Sequence, residues 1–427
     1  MTKTPASSQA TSEQTVVLLA DSFSNPGVQA LEELGCNVVL DASLEGGALV
    51  EAIESCNPTI IVVRSTKITS KMVHASSKLG VIIRAGAGCD TIDVAAASSR
   101  GIFVANCPGK NSIAVAELAW SLILSCDRKV PDQVADLRKG KWRKSTYTNA
   151  NGLHGRTLGI VGLGCVGAEV AKRGLAFGMN VIAWSRGLTQ KRASALGLGW
   201  CENLHNLAKM SDVVTVHIAS TKKTEHLINE AFLDVMKDDA IFINTSRGEV
   251  VDEKALGSIL ERKGLRVGLD VYENEPTTGE AEFNAPIVSN DRVYGTHHVG
   301  ASTIQAQDAI ADEAIRVIQQ YLADGIVHNC VNRATSTSAK AMLCVRHRNF
   351  PGVLARIFDL VSQEEVNVEE MENVVYQGEE AACARMQLDK ALSPDSIASM
   401  REHEHVLSVT TSEINEEGSI DDDTNCN

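Results

Sequence analysis

Short apolar runs that end in polar or glycine positions recur along most of the chain. Val16 to Leu19 ends at Ala20-Asp21-Ser22, Thr59 to Val63 at Arg64-Ser65-Thr66, and Gly80 to Ile83 at Arg84-Ala85-Gly86. Between them Ala30 to Leu34 reads as helix and Asn37 to Leu40 as a further strand. Strand–helix alternation with polar residues just past the strand ends predicts a parallel α/β sheet. Ile113 to Leu124, interrupted only by Glu117 and Ser121, is predicted to be a helix buried all round, crossing between domains or lying in a subunit interface. The alternation restarts after Asn151-Gly152 with Thr157 to Val161 and continues through Asn180 to Trp184 and Ala240 to Ile243 to about His298. Ala301 to Leu322 is predicted as a returning helix.

Asn332 to Lys340 is rich in Ser, Thr and Ala and reads as a linker. Beyond it, Ala341 to Thr411 shows strand, helix, strand, strand, helix, strand. The acidic stretch that contains Glu413, Glu416, Glu417 and Asp421 to Asp423 is expected to be a solvated tail. The fold class is therefore α/β: two Rossmann-like, doubly wound parallel-sheet units plus a small C-terminal α+β unit of βαββαβ order.

Composition agrees with buried strands and narrows the partners. Of 427 residues, 44% are hydrophobic but only 4% aromatic, so Val, Ile, Leu and Ala build the cores. A net charge of −14 argues against nucleic acid or an anionic membrane as the main partner. Any anion must then be held by local basic groups. The 11 cysteines show no paired C-x-x-C spacing, which predicts a reduced intracellular protein without a zinc site. No segment is long and apolar enough to span a membrane, and the polar start, Met1 to Thr15, lacks the apolar core of a signal peptide and reads as a frayed tail over residues 1–14, so the expected location is the cytoplasm.

Three constellations carry chemistry. Gly162-Leu163-Gly164-Cys165-Val166-Gly167 sits between a strand and a helix. Gly162 permits the turn, Gly164 lets backbone approach a pyrophosphate, Gly167 lets helix pack on strand, and the helix N-terminus offers free N–H groups. A dinucleotide is expected there. At the end of the next strand an NAD site usually places an acidic residue, but Ser185-Arg186 stands in its place. A guanidinium without a carboxylate suits a 2′-phosphate, so NAD is expected with NADP left open.

The second constellation is Asn244-Thr245-Ser246-Arg247-Gly248. A guanidinium at a strand end holds the carboxylate and keto oxygen of a 2-oxo acid in a two-point grip. The third joins Asp270-Val271-Tyr272-Glu273-Asn274-Glu275-Pro276 to Gly295-Thr296-His297-His298-Val299-Gly300-Ala301. Hydride transfer at a ketone needs a proton donor at its oxygen, for which imidazole is suited, and a carboxylate behind the ring orients it. Arg247, Glu275 and His298 are the expected catalytic set.

In order along the chain, Arg84-Ala85-Gly86-Ala87-Gly88, Gly162 to Gly167, Thr245-Ser246-Arg247-Gly248, Asp270-Val271 with Glu275-Pro276, and His298-Val299-Gly300 resemble the D-2-hydroxyacid dehydrogenase family over about Val16 to Asn332. The resemblance implies that Arg247 binds substrate, that His298 is the acid/base and that Glu275 is its partner. It also implies that Cys165, Val166, His217, Thr245, Ser246, Asp270, Gly300 and Ala301 line the cofactor with the glycines. His298 is preferred to His297 because it directly precedes Val299-Gly300-Ala301. The family wraps a substrate domain, here residues 15–111 and 299–332, around a cofactor domain at 112–298, with the site in the cleft between them.

Arg64-Ser65 and Asn106 to Ser112 resemble the branch of that family that oxidises 3-phosphoglycerate in serine synthesis. There Arg64, Ser65, Arg84, Ala85, Gly86 and Asn111 would contact substrate. Ser185-Arg186 fits instead a glyoxylate or hydroxypyruvate reductase using NADPH, and a corepressor-like binding protein of the same fold is the third alternative. His347-Arg348-Asn349-Phe350-Pro351-Gly352 resembles the opening of ACT domains, which bind amino acids. That places a regulatory unit at 341–413 after a linker at 333–340, with His347 and Asn349, and Asn367 from a paired unit across a dimer interface, as candidates for holding serine or another amino acid. The alternative is a unit that only assembles the expected homodimer or homotetramer.

Overall fold

The computed structural model describes residues 14–276, 280–334 and 337–414. The expected acidic tail beyond Ile414 and nearly all of the expected N-terminal tail lie outside those residues. The chain divides after Asn332 into two compact units. The first unit contains two parallel sheets, and the second a single antiparallel one.

The first sheet is made of β1 (Val16–Leu19), β2 (Asn37–Leu40), β3 (Ile60–Val63), β4 (Val81–Arg84) and β5 (Phe103–Asn106), in the order β2-β1-β3-β4-β5. The strand order reverses between β1 and β3, so the loops after these two strands flank a crevice at the carboxyl edge. The first helix, Asn25–Glu33, begins five residues earlier than the apolar run suggests, because Ser24 caps it and Pro26 occupies its first turn. The helix Ile304–Asp324 returns to this sheet. Its Ile310, Ala314, Val317 and Ile318 pack with Val17, Leu19, Ile60 and Val62. Past that helix the chain pairs with β5: Val331 N–H donates to the Val104 carbonyl at 2.8 Å, and the Asn332 side chain accepts from Val104 N–H at 2.8 Å.

The second sheet runs β12-β11-β10-β9-β6-β7-β8, with β6 at Thr157–Val161, β7 at Asn180–Trp184, β8 at Gly199–Trp200, β9 at Val213–Val216, β10 at Ile241–Asn244, β11 at Arg266–Leu269 and β12 at Val293–Gly295. Here the order reverses between β6 and β9. The helix Ser112–Arg128 covers this sheet, burying Ala116, Ala119, Trp120 and Ile123 against residues of β6, β7 and β10. It is not buried all round, since Ile113 is 54% exposed and Glu117 faces solvent. Its apolar length reflects a broad face on one sheet.

The C-terminal unit has β13 (Ala341–Arg348), helix Val353–Gln363, β14 (Val368–Val375), β15 (Ala381–Leu388), helix Pro394–Arg401 and β16 (Val406–Glu413). Its antiparallel sheet runs β14-β15-β13-β16. The βαββαβ order expected from the sequence is the order found. Along β13 burial alternates strictly, and the buried face packs Leu343, Val345, Ala384 and Met386 against Ile357, Leu360 and Val361.

Candidate active site

Both reversals of strand order carry the residues singled out in the sequence. After β1, Asp21 shapes the loop after β3. Its Oδ2 accepts from the N–H groups of Arg64 at 2.6 Å, Ser65 at 3.2 Å and Thr66 at 3.1 Å, and its Oδ1 accepts from Ser65 Oγ at 2.9 Å. The Ser65 hydroxyl is thus engaged with Asp21, while Arg64 is fixed through its backbone.

After β4, the Arg84 side chain folds back over Gly86. Gly86 has φ +151°, and a Cβ there would fall 1.4 Å from Arg84 Nη1. No larger residue fits. Arg84 Nε is buried without a hydrogen-bond partner. Burial, then the nearby charge of Arg247, pushes the Arg84 guanidinium below its usual pKa, and Arg64 adds to the effect. Three guanidinium groups therefore share one positive field, with a buried donor left over. Asp90 offsets part of that field, and the leftover Arg84 donor suits a further anion.

Arg247 follows β10 on a turn built by Asn244, which is buried. The Asn244 amide donates to the Arg247 carbonyl at 2.9 Å, and its oxygen accepts from Ser246 N–H at 3.0 Å and Ser246 Oγ at 2.7 Å. The guanidinium reaches back to the first sheet. Its Nε donates to Asp90 Oδ2 at 2.9 Å and its Nη1 to the Ser246 carbonyl at 2.7 Å. A Cβ on Gly88 would lie 2.3 Å from Arg247 Nη2, so the glycine leaves room for that group.

His298 stands on a loop pinned from below by Asp270. The buried Asp270 carboxylate accepts from Thr296 Oγ1 at 2.6 Å, Val299 N–H at 2.9 Å and Gly300 N–H at 2.9 Å, and its carbonyl accepts from His298 N–H at 2.8 Å. Asp270, expected beside the cofactor, has its carboxylate taken up inside this loop. His298 is held at φ +52°, in the left-handed region uncommon for a residue with a Cβ. Its Nδ1 lies 2.6 Å from Glu275 Oε2, and Glu275 Oε1 accepts from Tyr272 N–H at 2.8 Å. Nε2 is left unengaged at the half-exposed end of the ring. His297 is exposed and makes no ion pair or hydrogen bond with the described residues.

The glycines of the first constellation have separate reasons. Gly162 has φ +95°, and a Cβ would sit 2.4 Å from the His217 carbonyl. A Cβ on Gly167 would meet the Gly162 carbonyl at 2.1 Å. Both are required by the protein's own packing. Among the described residues, a Cβ on Gly164 would have nothing but its chain neighbours within 4 Å, and no side chain caps the free N–H groups of the helix Cys165–Ala176 that starts beside it. Val166, in the first turn, is partly buried against the core that this helix joins. Asn111 precedes the helix Ser112–Arg128 across the same mouth, where a Cβ on Gly109 would lie 3.4 Å from Cys165 Sγ.

Two further polar atoms at the carboxyl edge are buried without partners, His217 Nδ1 and Thr245 Oγ1. His217 Nε2 is 2.8 Å from Thr215 Oγ1, and burial pushes its pKa down to about 3, so the ring is neutral near neutral pH. An open glycine, an uncapped helix start and orphaned polar atoms past β9 and β10 fit a dinucleotide. Ser185, half-buried, and Arg186, exposed, stand past β7. Ala301 follows Gly300 before the returning helix. Among the described residues, no group of three or more His, Cys, Asp or Glu side chains could hold a metal ion, and no helix is long and apolar enough to cross a membrane.

The family model for the D-isomer specific 2-hydroxyacid dehydrogenase NAD-binding domain matches residues 120–300. The chain is 40% identical over 282 residues to a hydroxypyruvate reductase of Thermotoga maritima, covering 66% of this chain and 89% of that protein. It belongs to the D-2-hydroxyacid dehydrogenase family. It is also 37% identical over 318 residues to a D-3-phosphoglycerate dehydrogenase of Methanocaldococcus jannaschii, covering 73% of this chain but only 59% of that protein's length. Among solved structures, the NADPH-dependent glyoxylate/hydroxypyruvate reductase of Sinorhizobium meliloti, in complex with NADP and malonate, superposes with a TM-score of 0.64 at 26% identity, over 75% of this chain and 97% of that one.

In the C-terminal unit the three expected effector residues do not converge. His347 is buried, with Nδ1 2.8 Å from the Arg348 carbonyl and Nε2 3.3 Å from Asn373 Oδ1. Its ring is committed inside the unit rather than presented to a ligand, because alternation along β13 puts it on the packed face. Asn349 donates to the Glu379 carbonyl at 2.9 Å, and Asn367 donates to Glu369 Oε1 at 2.9 Å. Val368 pairs with Leu388, which pairs with Ala341, so Asn367 lies at the opposite end of the sheet from Arg348 and Asn349. At roughly 3.3 Å per residue the two ends are about 20 Å apart.

From the sequence, Asp21 and Asn244 are placed at strand ends without a role, and Asp90 is not singled out. Asp21 and Asn244 each stand at a strand end before a turn, where a short polar side chain commonly caps backbone N–H groups. That signal was available. Asp90 offers none, because its partner is 157 residues away.

Proposed function

We propose that the chain catalyses NAD-dependent oxidation of 3-phospho-D-glycerate to 3-phosphohydroxypyruvate, the entry to serine synthesis, in the cytoplasm. The carrying observation is the shared field of Arg64, Arg84 and Arg247, with a buried Arg84 donor lacking a partner. A 2-oxo acid with one carboxylate is served by one bidentate guanidinium. A second anionic group on the substrate gives the remaining two a task. The relatives named D-3-phosphoglycerate dehydrogenase agree with this reading, although the chain spans about three-fifths of their length.

In this reading Arg247 grips the carboxylate and the oxygen under reaction, and Arg64 and Arg84 hold the phosphate, with Ser65, Ala85, Gly86 and Asn111 lining the pocket. His298 Nε2 takes the hydroxyl proton on oxidation and returns it on reduction. Glu275 fixes the ring through Nδ1. The bound nicotinamide supplies the hydride acceptor. Gly164 and the helix start at Cys165 and Val166 would hold its pyrophosphate, and His217, Thr245 and Ser246 its remaining polar groups. A homodimer or homotetramer is the expected assembly.

Spectrophotometry with 3-phosphoglycerate, phosphohydroxypyruvate, hydroxypyruvate and glyoxylate, each with both nucleotides, tests the reading directly. Turnover of phosphohydroxypyruvate should exceed that of glyoxylate, and Arg64→Ala should reduce that preference. Equal losses on both substrates would remove Arg64 from the phosphate site. A specific observation favours a second reading, NADPH-linked hydroxypyruvate or glyoxylate reduction: Ser185-Arg186 replaces the acid after β7. Ser185→Asp should raise the NAD preference by repelling a 2′-phosphate and adding a ribose acceptor. An unchanged ratio would place Ser185 outside the pocket.

Regulation by serine through the C-terminal unit is the remaining part of the proposal, and it rests on the βαββαβ order. With Asn349 and Asn367 at opposite ends of one sheet, a site using both would draw them from two copies. Serine should lower the activity of the full chain and not of a chain ending at Asn332. Inhibition of both alike would place the serine site elsewhere.

A further inference from the structure

Exposed ion pairs usually contribute little, because solvent screens them and two long side chains must be ordered. The pair between Arg247 and Asp90 differs in its setting. It joins the loop after β10 of the second sheet to the loop after β4 of the first, across 157 residues of sequence. It is the Nε edge of the guanidinium that Asp90 takes, at 2.9 Å, while Nη1 is tied to the Ser246 carbonyl. The planar fork therefore cannot rotate freely, and Nη2 lies over Gly88, where any Cβ would clash. Asp90 is also the carboxylate set beside a group of like charges: Arg84 feels repulsion from Arg247 and Arg64, and attraction to Asp90.

We propose that Asp90 is a positioning residue that sets the angle of the Arg247 fork and holds it at the junction of the two sheets, ready for the substrate carboxylate. The proposal rests on the reading that Arg247 grips the substrate acid. Without Asp90 the guanidinium keeps its charge but loses its Nε anchor, and repulsion from Arg84 turns it away. The loss then falls on binding of the 2-oxo acid and on its alignment for hydride transfer. Asp90 is half-exposed and its removal leaves no buried orphan, so folding is retained.

The test is a double-mutant cycle in the full chain, with kcat and KM for phosphohydroxypyruvate and hydroxypyruvate, and the NADH dissociation constant by fluorescence. Asp90→Ala should lower kcat/KM about tenfold with NADH binding unchanged, whereas Asp90→Asn, which keeps an acceptor for Nε, should lose less. In an Arg247→Lys background the Asp90→Ala loss should disappear, because Lys has no Nε edge to anchor. Additive losses in the double variant would overturn the proposal, as would an equal weakening of NADH binding. So would an unchanged kcat/KM for Asp90→Ala beside a damaged Arg247→Lys. A silent Arg247→Lys would instead overturn the substrate-grip reading beneath it.

Discussion

Replacing His298 by Asn should lower turnover by roughly 10²-fold or more, the scale expected on losing a positioned acid/base, while His297→Asn changes it little. The two imidazoles are adjacent in sequence and differ entirely in setting. His298 is fixed at three places. Asp270 holds the loop through three hydrogen bonds, the backbone sits at φ +52°, and Glu275 binds Nδ1 at 2.6 Å. His297 has none of these. Asn at 298 keeps a polar side chain and tolerates a positive φ better than most residues, so the fold should survive while the proton donor is lost. Glu275→Gln should also reduce turnover, because the amide can meet Nδ1 in either tautomer and no longer selects one. Turnover and thermal midpoint measured together separate a catalytic loss from unfolding. An intact His298→Asn enzyme, or a large loss at His297, would sink the assignment.

How much of this was legible in the sequence depends on the range of the interaction. The inner strands of both parallel sheets appear as apolar runs because they are buried on both faces, unlike the exposed edge strands β2 and β8, and a loop past each strand end follows from that. Helix starts were less visible: the Asn25–Glu33 helix is set by Ser24 and Pro26, which carry no apolar signal. The long helix Ser112–Arg128 reads as buried all round from its apolar count, but Ile113, Glu117 and Ser121 lie on one exposed side while its alanines are all in the core. The His298–Glu275 pair was legible because each residue sits in a recognisable local motif. Asp21 and Asp90 position the functional groups without being part of one, and Asn244 stands inside one that gives it no role of its own. The direction of His347 could not be had from its motif, but strict alternation along β13 decides it, with His347 on the same buried face as Leu343 and Val345.

The glycine loop gives the second large effect, and it separates fold from function within six residues. Gly164→Asp should weaken dinucleotide binding by roughly 10²-fold, about 2–3 kcal/mol, at nearly unchanged thermal stability. Among the described residues nothing beyond its chain neighbours lies within 4 Å of a Cβ at 164, so the side chain costs little packing. The residue caps the helix Cys165–Ala176 in an extended conformation, φ −84° and ψ −161°, open to any amino acid. An aspartate there would place its charge against the free N–H groups that a pyrophosphate needs, and would itself be stabilised by them. Gly162→Ala should behave in the opposite way. A positive φ of 95° and a Cβ 2.4 Å from the His217 carbonyl demand a backbone shift, so the thermal midpoint should fall, and binding with it. Fluorescence titration with NADH and NADPH, beside thermal melts of both variants, reads the two quantities independently. If Gly164→Asp bound both nucleotides normally, the open space beside that helix start would not be the phosphate cradle, and the dinucleotide would have to lie elsewhere along the carboxyl edge of the second sheet.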